Sequence, residues 1–218
     1  MGDFDFGVII QSLPFLWEGL QLSLLLTFLA IVGGLGLGTL LALARLSGIV
    51  PLALFAAGYV NLIRAVPLIL VIFWFYFLVP LALGRPIGGF YSALIAFVMF
   101  EAAYYSEIMR AGIQSVARGQ VHAGKATGLG YWQIQRCIVL PQAFRNMIPI
   151  LVTQGIILFQ DTSLVFVVSL RDLMTASSIV ARTEGRLVEM YLFAALVYFV
   201  ICFSGSLFVR RLQTRMAT

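Results

Sequence analysis

With 61% hydrophobic residues and only 11% charged over 218 positions, and a mean hydropathy of +1.03, this chain cannot cover itself with a wettable surface, because an ordinary soluble domain carries about 25% charged residues. That excludes a soluble enzyme or binding module and leaves a polytopic membrane protein, with room for about five to seven spans of ~20 residues. The formal charge of +5 would raise the question of nucleic acid in a soluble protein; in a membrane protein cationic loops follow from topology, and no nucleic-acid partner is expected.

The opening Met1-Gly2-Asp3-Phe4-Asp5 is acidic where a cleaved leader would be basic, so no signal peptide is expected. From Gly19 to Ala44 no residue is charged, which is long enough to span. Its Gly33-Gly34-Leu35-Gly36-Leu37-Gly38 misses dinucleotide-loop spacing. Gly34 and Gly38 instead lie one helical turn apart, as small residues do where membrane helices approach closely. Leu46 to Ile63 is broken by Gly48 and Pro51, and Leu68 to Leu83 follows Arg64-Ala65-Val66-Pro67; together they read as one kinked or interrupted second span. Arg64 is placed near its inner end, where it can snorkel or pair.

After a turn at Arg85-Pro86 and Gly88-Gly89, a third span runs from about Tyr91 to Arg110 and carries Glu101 and Glu107. Ala111 to Pro141 reads as a basic interior loop. The fourth span, about Gln142 to Gln160, meets the polar triplet Asp161-Thr162-Ser163 directly before apolar Leu164 to Val168. A helix breaking on polar residues inside an apolar region is expected where backbone lines a binding cavity. Arg171 to Glu189 reads as an exterior loop with a short helix near Asp172 to Val180, and Tyr191 to Val209 as the fifth span. With the N-terminus outside, ten cations fall inside and only Arg85, Arg171, Arg182 and Arg186 outside, as the positive-inside rule requires. The predicted fold is all-α: a single permease domain over 1–218, about five transmembrane helices, N-out and C-in, with a cytoplasmic loop at about 111–141.

Gly119-x-x-x-x-Gly124-Lys125 matches the start of a phosphate-binding P-loop, but Ala126 stands where Ser or Thr should hold Mg²⁺. The lead-in Ile108 to Arg118 is helical in pattern, where a P-loop follows a buried strand. No nucleotide site and no cofactor is expected. From about Ile113 to Gly130, apolar Ile113, Val116, Val121, Ala123 and Ala126 mix with Arg118, His122 and Lys125, and short cationic helices of this kind, joined by glycines, fit a partner's groove instead. His122 has no second ligand nearby and is read as an interface residue rather than a metal ligand. Cys137 and Cys202 lack CxxC spacing and are read as packing thiols.

Gly128, nine residues, then Ile138-x-Leu140-Pro141 resembles the close of the "EAA" loop of ABC-importer permeases, whose consensus is Glu-Ala-Ala, three residues, Gly, nine residues, Ile-x-Leu-Pro. Here His122-Ala123-Gly124 replaces Glu-Ala-Ala, removing a carboxylate that in the family helps anchor the coupling helix. Arg64-Ala65-Val66-Pro67-Leu68, Phe100-Glu101-Ala102-Ala103-Tyr104-Tyr105-Ser106-Glu107, Leu140-Pro141-Gln142-Ala143-Phe144-Arg145 and Phe159-Gln160-Asp161-Thr162-Ser163-Leu164 resemble the polar amino acid branch. The combined pattern is most similar to permeases of glutamate/aspartate importers. The resemblance implies a type I ABC-importer fold in the bacterial cytoplasmic (inner) membrane. It also implies ATP-binding cassette ATPase subunits, a second permease subunit (identical or homologous) and a periplasmic amino acid-binding protein as partners. The chain itself would be no enzyme.

Glu101 and Asp161 sit in apolar spans with no adjacent base, so they either pair with other helices or contact substrate. With Thr162 and Ser163 they form the candidate substrate site, meeting the ammonium group common to amino acids. The candidate coupling surface comprises Arg118, Gly119, His122, Ala123, Lys125, Gly128, Ile138, Leu140 and Pro141. A carboxylate-lined cavity does not by itself explain an acidic cargo, so glutamine and basic amino acids stay open. A stand-alone carrier or channel with Glu101, Glu107 and Asp161 as a proton relay is the alternative of a different class.

Overall fold

The computed structural model describes residues 4–217; the acidic opening at Met1 to Asp3 lies outside them. In chain order the helices are α1 (Phe6–Leu46), α2 (Val50–Arg64), α3 (Leu68–Phe73), α4 (Val79–Leu83), α5 (Gly89–Gln114), α6 (Arg118–Ala126), α7 (Tyr131–Ile134), α8 (Leu140–Asp161), α9 (Leu173–Thr183) and α10 (Leu187–Ala217). π turns join α3 to α4 (Trp74–Leu78) and α7 to α8 (Gln135–Val139), and a 3₁₀ helix, Thr162–Val168, follows α8. Among the described residues four helical runs are long and apolar enough to cross a membrane, or five where the bent pair Val50–Arg64 and Leu68–Leu83 is counted as one span. About five transmembrane helices, all-α, is therefore the architecture.

α1 begins well before the uncharged run at Gly19. Pro14 and Glu18 are carried inside its 41 residues, with Asp5 accepting from the Gly7 N–H at 2.8 Å as N-cap. α1 packs most extensively on α5. The crossing is tight because the facing positions have no side chain. A Cβ on Gly34 would lie 2.9 Å from Glu101 Cβ, and one on Gly38 would lie 2.9 Å from Tyr105 Cβ. The small-residue pair thus serves packing, as its spacing predicts.

The second apolar run is a break rather than a kink. Its halves meet at 106°, α2 ending just before Pro67, which disfavours helix in the residue preceding it. The expected interior loop is largely helical: α5 runs to Gln114, α6 occupies its middle, and one run from Tyr131 to Val168 absorbs its end. Cys202 is buried, but Cys137 is exposed, so only one of the two thiols packs; both are free.

The two ends of the molecule are distinct. At one, Arg186 lies 4.0 Å from Asp5, and a Cβ on Gly19 of α1 would meet Asp172 O of the α9 cap at 2.8 Å. α10 starts there and runs 31 residues, about 45 Å, so the two chain ends lie at opposite faces. At the other end Arg45 closes α1 and the cationic α6 lies. This separation matches an N-out, C-in chain with its cations inside.

At the outer end Asp172, fully buried, caps α9. It accepts from the Met174 N–H at 2.9 Å, the Thr175 N–H at 3.1 Å and the Thr175 hydroxyl. Burial raises its carboxyl above the usual range, and these hydrogen bonds only partly offset that. A folded pKa above the unfolded one means the ionised form costs stability once pH exceeds the unfolded value. Asp172→Asn keeps an acceptor and loses the ionisation, so it should melt no lower than the parent at neutral pH, gaining relative to it as pH rises. Asp172→Ala should cost about 1–2 kcal/mol as a lost cap. Thermal unfolding of the purified subunit in detergent, from mildly acid to neutral pH, checks both.

Candidate substrate pathway and coupling surface

Glu101 projects from α5 into the α1 crossing and is wholly buried. One carboxylate oxygen accepts from Gln154 Nε2 of α8 at 3.2 Å. The other has no partner among the described residues, and neither do the hydroxyls of Tyr105, one turn further, or Ser106. A buried polar group left unsatisfied costs about 1–3 kcal/mol, and three such groups lie close together on α5. Asp161, at the last turn of α8, is half-buried and close enough for like-charge repulsion to act on Glu101. The structure thus brings the two intramembrane acids of the candidate site within electrostatic reach of each other.

The polar triplet does break the helix: α8 gives way to 3₁₀ geometry from Thr162 to Val168 and ends on Ser169 at φ 60°. Its two hydroxyls diverge. Thr162 is fully buried, its hydroxyl donating to Phe159 O at 2.7 Å, so it has no free face. Ser163 is half-exposed and lines a cavity of about 490 Å³ shared with α9 and α10. A larger cavity of about 530 Å³ between α1, α8 and α10 is walled by residues such as Ile31, Leu151 and Ile156, and its apolar wall does not suit a zwitterion. Gln154 went unread in the sequence, although a lone amide in the apolar run Ile148 to Phe159 was the available signal.

Glu107 is the centre of an ion cluster. Arg45 of α1 donates to it at 2.5 Å, Arg110 one turn on pairs with it, and Arg64 of α2 stands at 3.9 Å. The Arg64 guanidinium also lies 5.2 Å above the Tyr104 ring. Three helices are therefore tied at one carboxylate, which extends the local Glu107–Arg110 pairing read from their spacing.

The coupling surface has a mechanical reason for its residue spacing. Arg118, Gly119, His122, Ala123 and Lys125 are exposed on α6, whereas Gly124 is buried. A Cβ on Gly124 would fall 2.7 Å from Ile138 Cδ1, so Ile138 is the peg on which α6 rests. Gly128, at φ +82°, stops α6 in a left-handed turn, its N–H donating to Lys125 O at 3.0 Å and the Leu129 N–H to Gly124 O at 3.1 Å. Beneath lie Ile134, Val139 and Ala143 with Val116, a small core of their own. Leu140 and Pro141 are exposed and begin α8. Helical from Arg118 to Ala126, the segment cannot cradle phosphate as a P-loop. The His122 departure changes only an exposed face. Among the described residues no cluster could hold a metal.

Residues 34–218 match the family described as "Binding-protein-dependent transport system inner membrane component". The chain belongs to this family. It is accordingly an ABC permease, a multi-pass transport subunit of the inner membrane, and not an enzyme. It is 51% identical, over 100% of both chains, to the glutamate/aspartate import permease protein GltK of Escherichia coli O157:H7. It is 36% identical, over 94% of this chain and 95% of the other, to the probable glutamine ABC transporter permease protein GlnP of Bacillus subtilis (strain 168). The crystal structure of an amino acid ABC transporter with histidines superposes with a TM-score of 0.91 at 31% identity, covering 97% of this chain and 98% of that one.

Replacing Glu107 by Gln leaves Arg45 and Arg110 facing each other without their acid. Because the carboxylate is only partly buried, the permease should lose about 1–2 kcal/mol, seen as a lower melting temperature in detergent. An unchanged melt would show the cluster to be fully solvated.

Proposed function

We propose that this permease is the membrane subunit of an ATP-driven importer for glutamate and aspartate. The observation that carries this reading is the 51% identity, without unmatched ends, to a glutamate/aspartate import permease; relatives named for glutamine or arginine stand at 36% and 34%. Two permease subunits, this chain with an identical or homologous one, form the pathway. A periplasmic binding protein delivers the amino acid from outside, and two ATPase subunits bear on α6 from inside. ATP-driven closure of the ATPases moves α6 and alternates the pathway between its two faces.

In this reading Glu101 and Asp161 receive the α-ammonium group. Both acids are short of compensating positive charge, and a bound ammonium supplies it. Ser163 borders the same break with a free hydroxyl. Arg64 and Glu107 hold the inner ends of α1, α2 and α5 together rather than touching cargo. A stand-alone proton carrier would need a continuous relay, but Glu107 is tied to arginines rather than to Glu101.

Reconstituted with its partners in proteoliposomes, the importer should take up glutamate on ATP addition. Glu101→Gln and Asp161→Asn should each lower uptake tenfold or more while the complex still assembles; wild-type uptake in both would sink the ammonium role. Glutamate uptake by the purified chain with no ATPase present would favour the carrier instead.

Because His122 is exposed and packs nothing beneath it, His122→Glu should leave the fold intact and hold the ATPase at least as well as the parent in a pull-down. Loss of the ATPase from that variant would contradict docking on this face.

A further inference from the structure

Glu101 and Asp161 account for an ammonium group and leave both carboxylates of an acidic amino acid without a partner, of which only the distal one distinguishes it from its amide. The cavity of about 490 Å³ beside Ser163 differs in lining from the apolar cavity between α1, α8 and α10. It is formed where the 3₁₀ helix meets α9 and α10, at the outer end, and its size falls in the range of small-molecule sites, roughly 300–1,000 Å³. Its polar lining is Ser163, Thr175, Ser178, Arg182 and Tyr191, with no aspartate or glutamate.

On α9, positions 175, 178 and 182 lie on one face at i, i+3 and i+7. The Thr175 hydroxyl is committed to Asp172, the buried helix cap and the nearest acid. Tyr191 donates its hydroxyl to Ser178 Oγ at 3.3 Å, which leaves the Ser178 proton free to point into the cavity. No hydrogen bond is made by the Ser163 hydroxyl among the described residues, and Arg182 has no carboxylate within 4.0 Å. The surroundings are one guanidinium and two free hydroxyl donors, with apolar Leu164 and Met174 beside them. With one guanidinium and no carboxylate in the lining the charge is positive, hydroxyls can donate beside it, and a guanidinium presents the fork that matches a carboxylate.

We infer that this cavity is the side-chain subsite of the pathway: Arg182, with Ser163 and Ser178, receives the distal carboxylate of an acidic amino acid whose ammonium faces Asp161. The inference rests on the reading given under Proposed function and adds the element that distinguishes glutamate from glutamine. Ser163 links the two halves: it stands two residues after Asp161 in the chain and lines the cavity. The apolar wall accommodates the methylenes between the charged groups. Arg182 also stands in the last turn of α9, where a cation favours the helix terminus, and the test must separate that role from binding.

The assembled, nucleotide-free importer in detergent is titrated with radiolabelled glutamate and, separately, glutamine, for the parent, Arg182→Gln and Arg182→Lys, with monodispersity and basal ATP hydrolysis as controls for assembly. Arg182→Gln should weaken glutamate binding tenfold or more and change glutamine binding less than about twofold, with Arg182→Lys recovering part of the glutamate affinity. Ser163→Ala combined with Ser178→Ala should shift the glutamate-to-glutamine ratio in the same direction by a smaller factor. Equal loss for both amino acids, or parental glutamate binding in Arg182→Gln, would overturn the subsite. Failure of the parent importer to take up glutamate would instead overturn the substrate reading itself, and the subsite with it.

Discussion

Everything in this permease is arranged around one close approach, the crossing of α1 over α5 at Gly34 and Gly38. Because those positions lack side chains, the α5 face bearing Glu101 and Tyr105 can be pressed against a helix backbone with no water between. Dispersion across so close a contact replaces the hydrophobic drive that is missing between helices in lipid. It also creates the chemical oddity of the molecule, a glutamate sealed in apolar surroundings with half of its hydrogen-bonding capacity unused. The packing and the candidate chemistry are therefore not separable: widening the crossing to solvate Glu101 would dismantle the longest helix–helix contact.

The acids then divide by environment. Glu107 lies only two turns along the same helix from Glu101, yet it meets Arg45, Arg110 and Arg64 and serves as a knot. Glu101 meets one amide, and Asp161 no base at all. Neighbours, not residue type, decide which carboxylate fastens helices and which is left without a base among the described residues.

Much of this was legible in the sequence, and the failures have physical causes. Uncharged runs located the spans, and the Gly34/Gly38 spacing foretold a close crossing. The break at Asp161-Thr162-Ser163 was read from polarity alone. The first span was read from its uncharged run at Gly19, whereas α1 starts at Phe6 and carries Pro14 and Glu18 inside it, a proline being tolerated in a helix supported by neighbours. The region from 111 to 141 was read as an interior loop holding short cationic helices joined by glycines, as α6 bears out; Gly124 and Gly128 are there for a close approach and a helix stop, not for flexibility. The meeting of Glu101 with Gln154, 53 residues apart, and the 106° angle at Pro67 are tertiary facts that no local pattern encodes. Thr162 and Ser163 looked equivalent on the page and differ only because one step of a 3₁₀ turn points inward and the next outward.

The placement of α6 gives the break its mechanical sense. Ile134 and Ile138, the residues against which Gly124 of α6 rests, lie at the start of the same helical run that ends with Asp161 to Val168. That run is 38 residues long, about 55 Å at 1.5 Å per residue, and its two irregular turns fall at its two ends: a π turn under α6 and the 3₁₀ turn at the acid. A helix interior resists bending, while such turns are where geometry changes cheaply. Under the proposed docking of an ATPase on α6, a push would be taken up by the peg at Ile138 and carried along a rod. The rod would yield at Pro149, inside α8, and at the 3₁₀ turn that follows Asp161 and carries Ser163 into the Arg182 cavity. One continuous helix would then link the cytoplasmic face to the outer mouth, and the ligand groups would stand at the joint that its movement opens or closes.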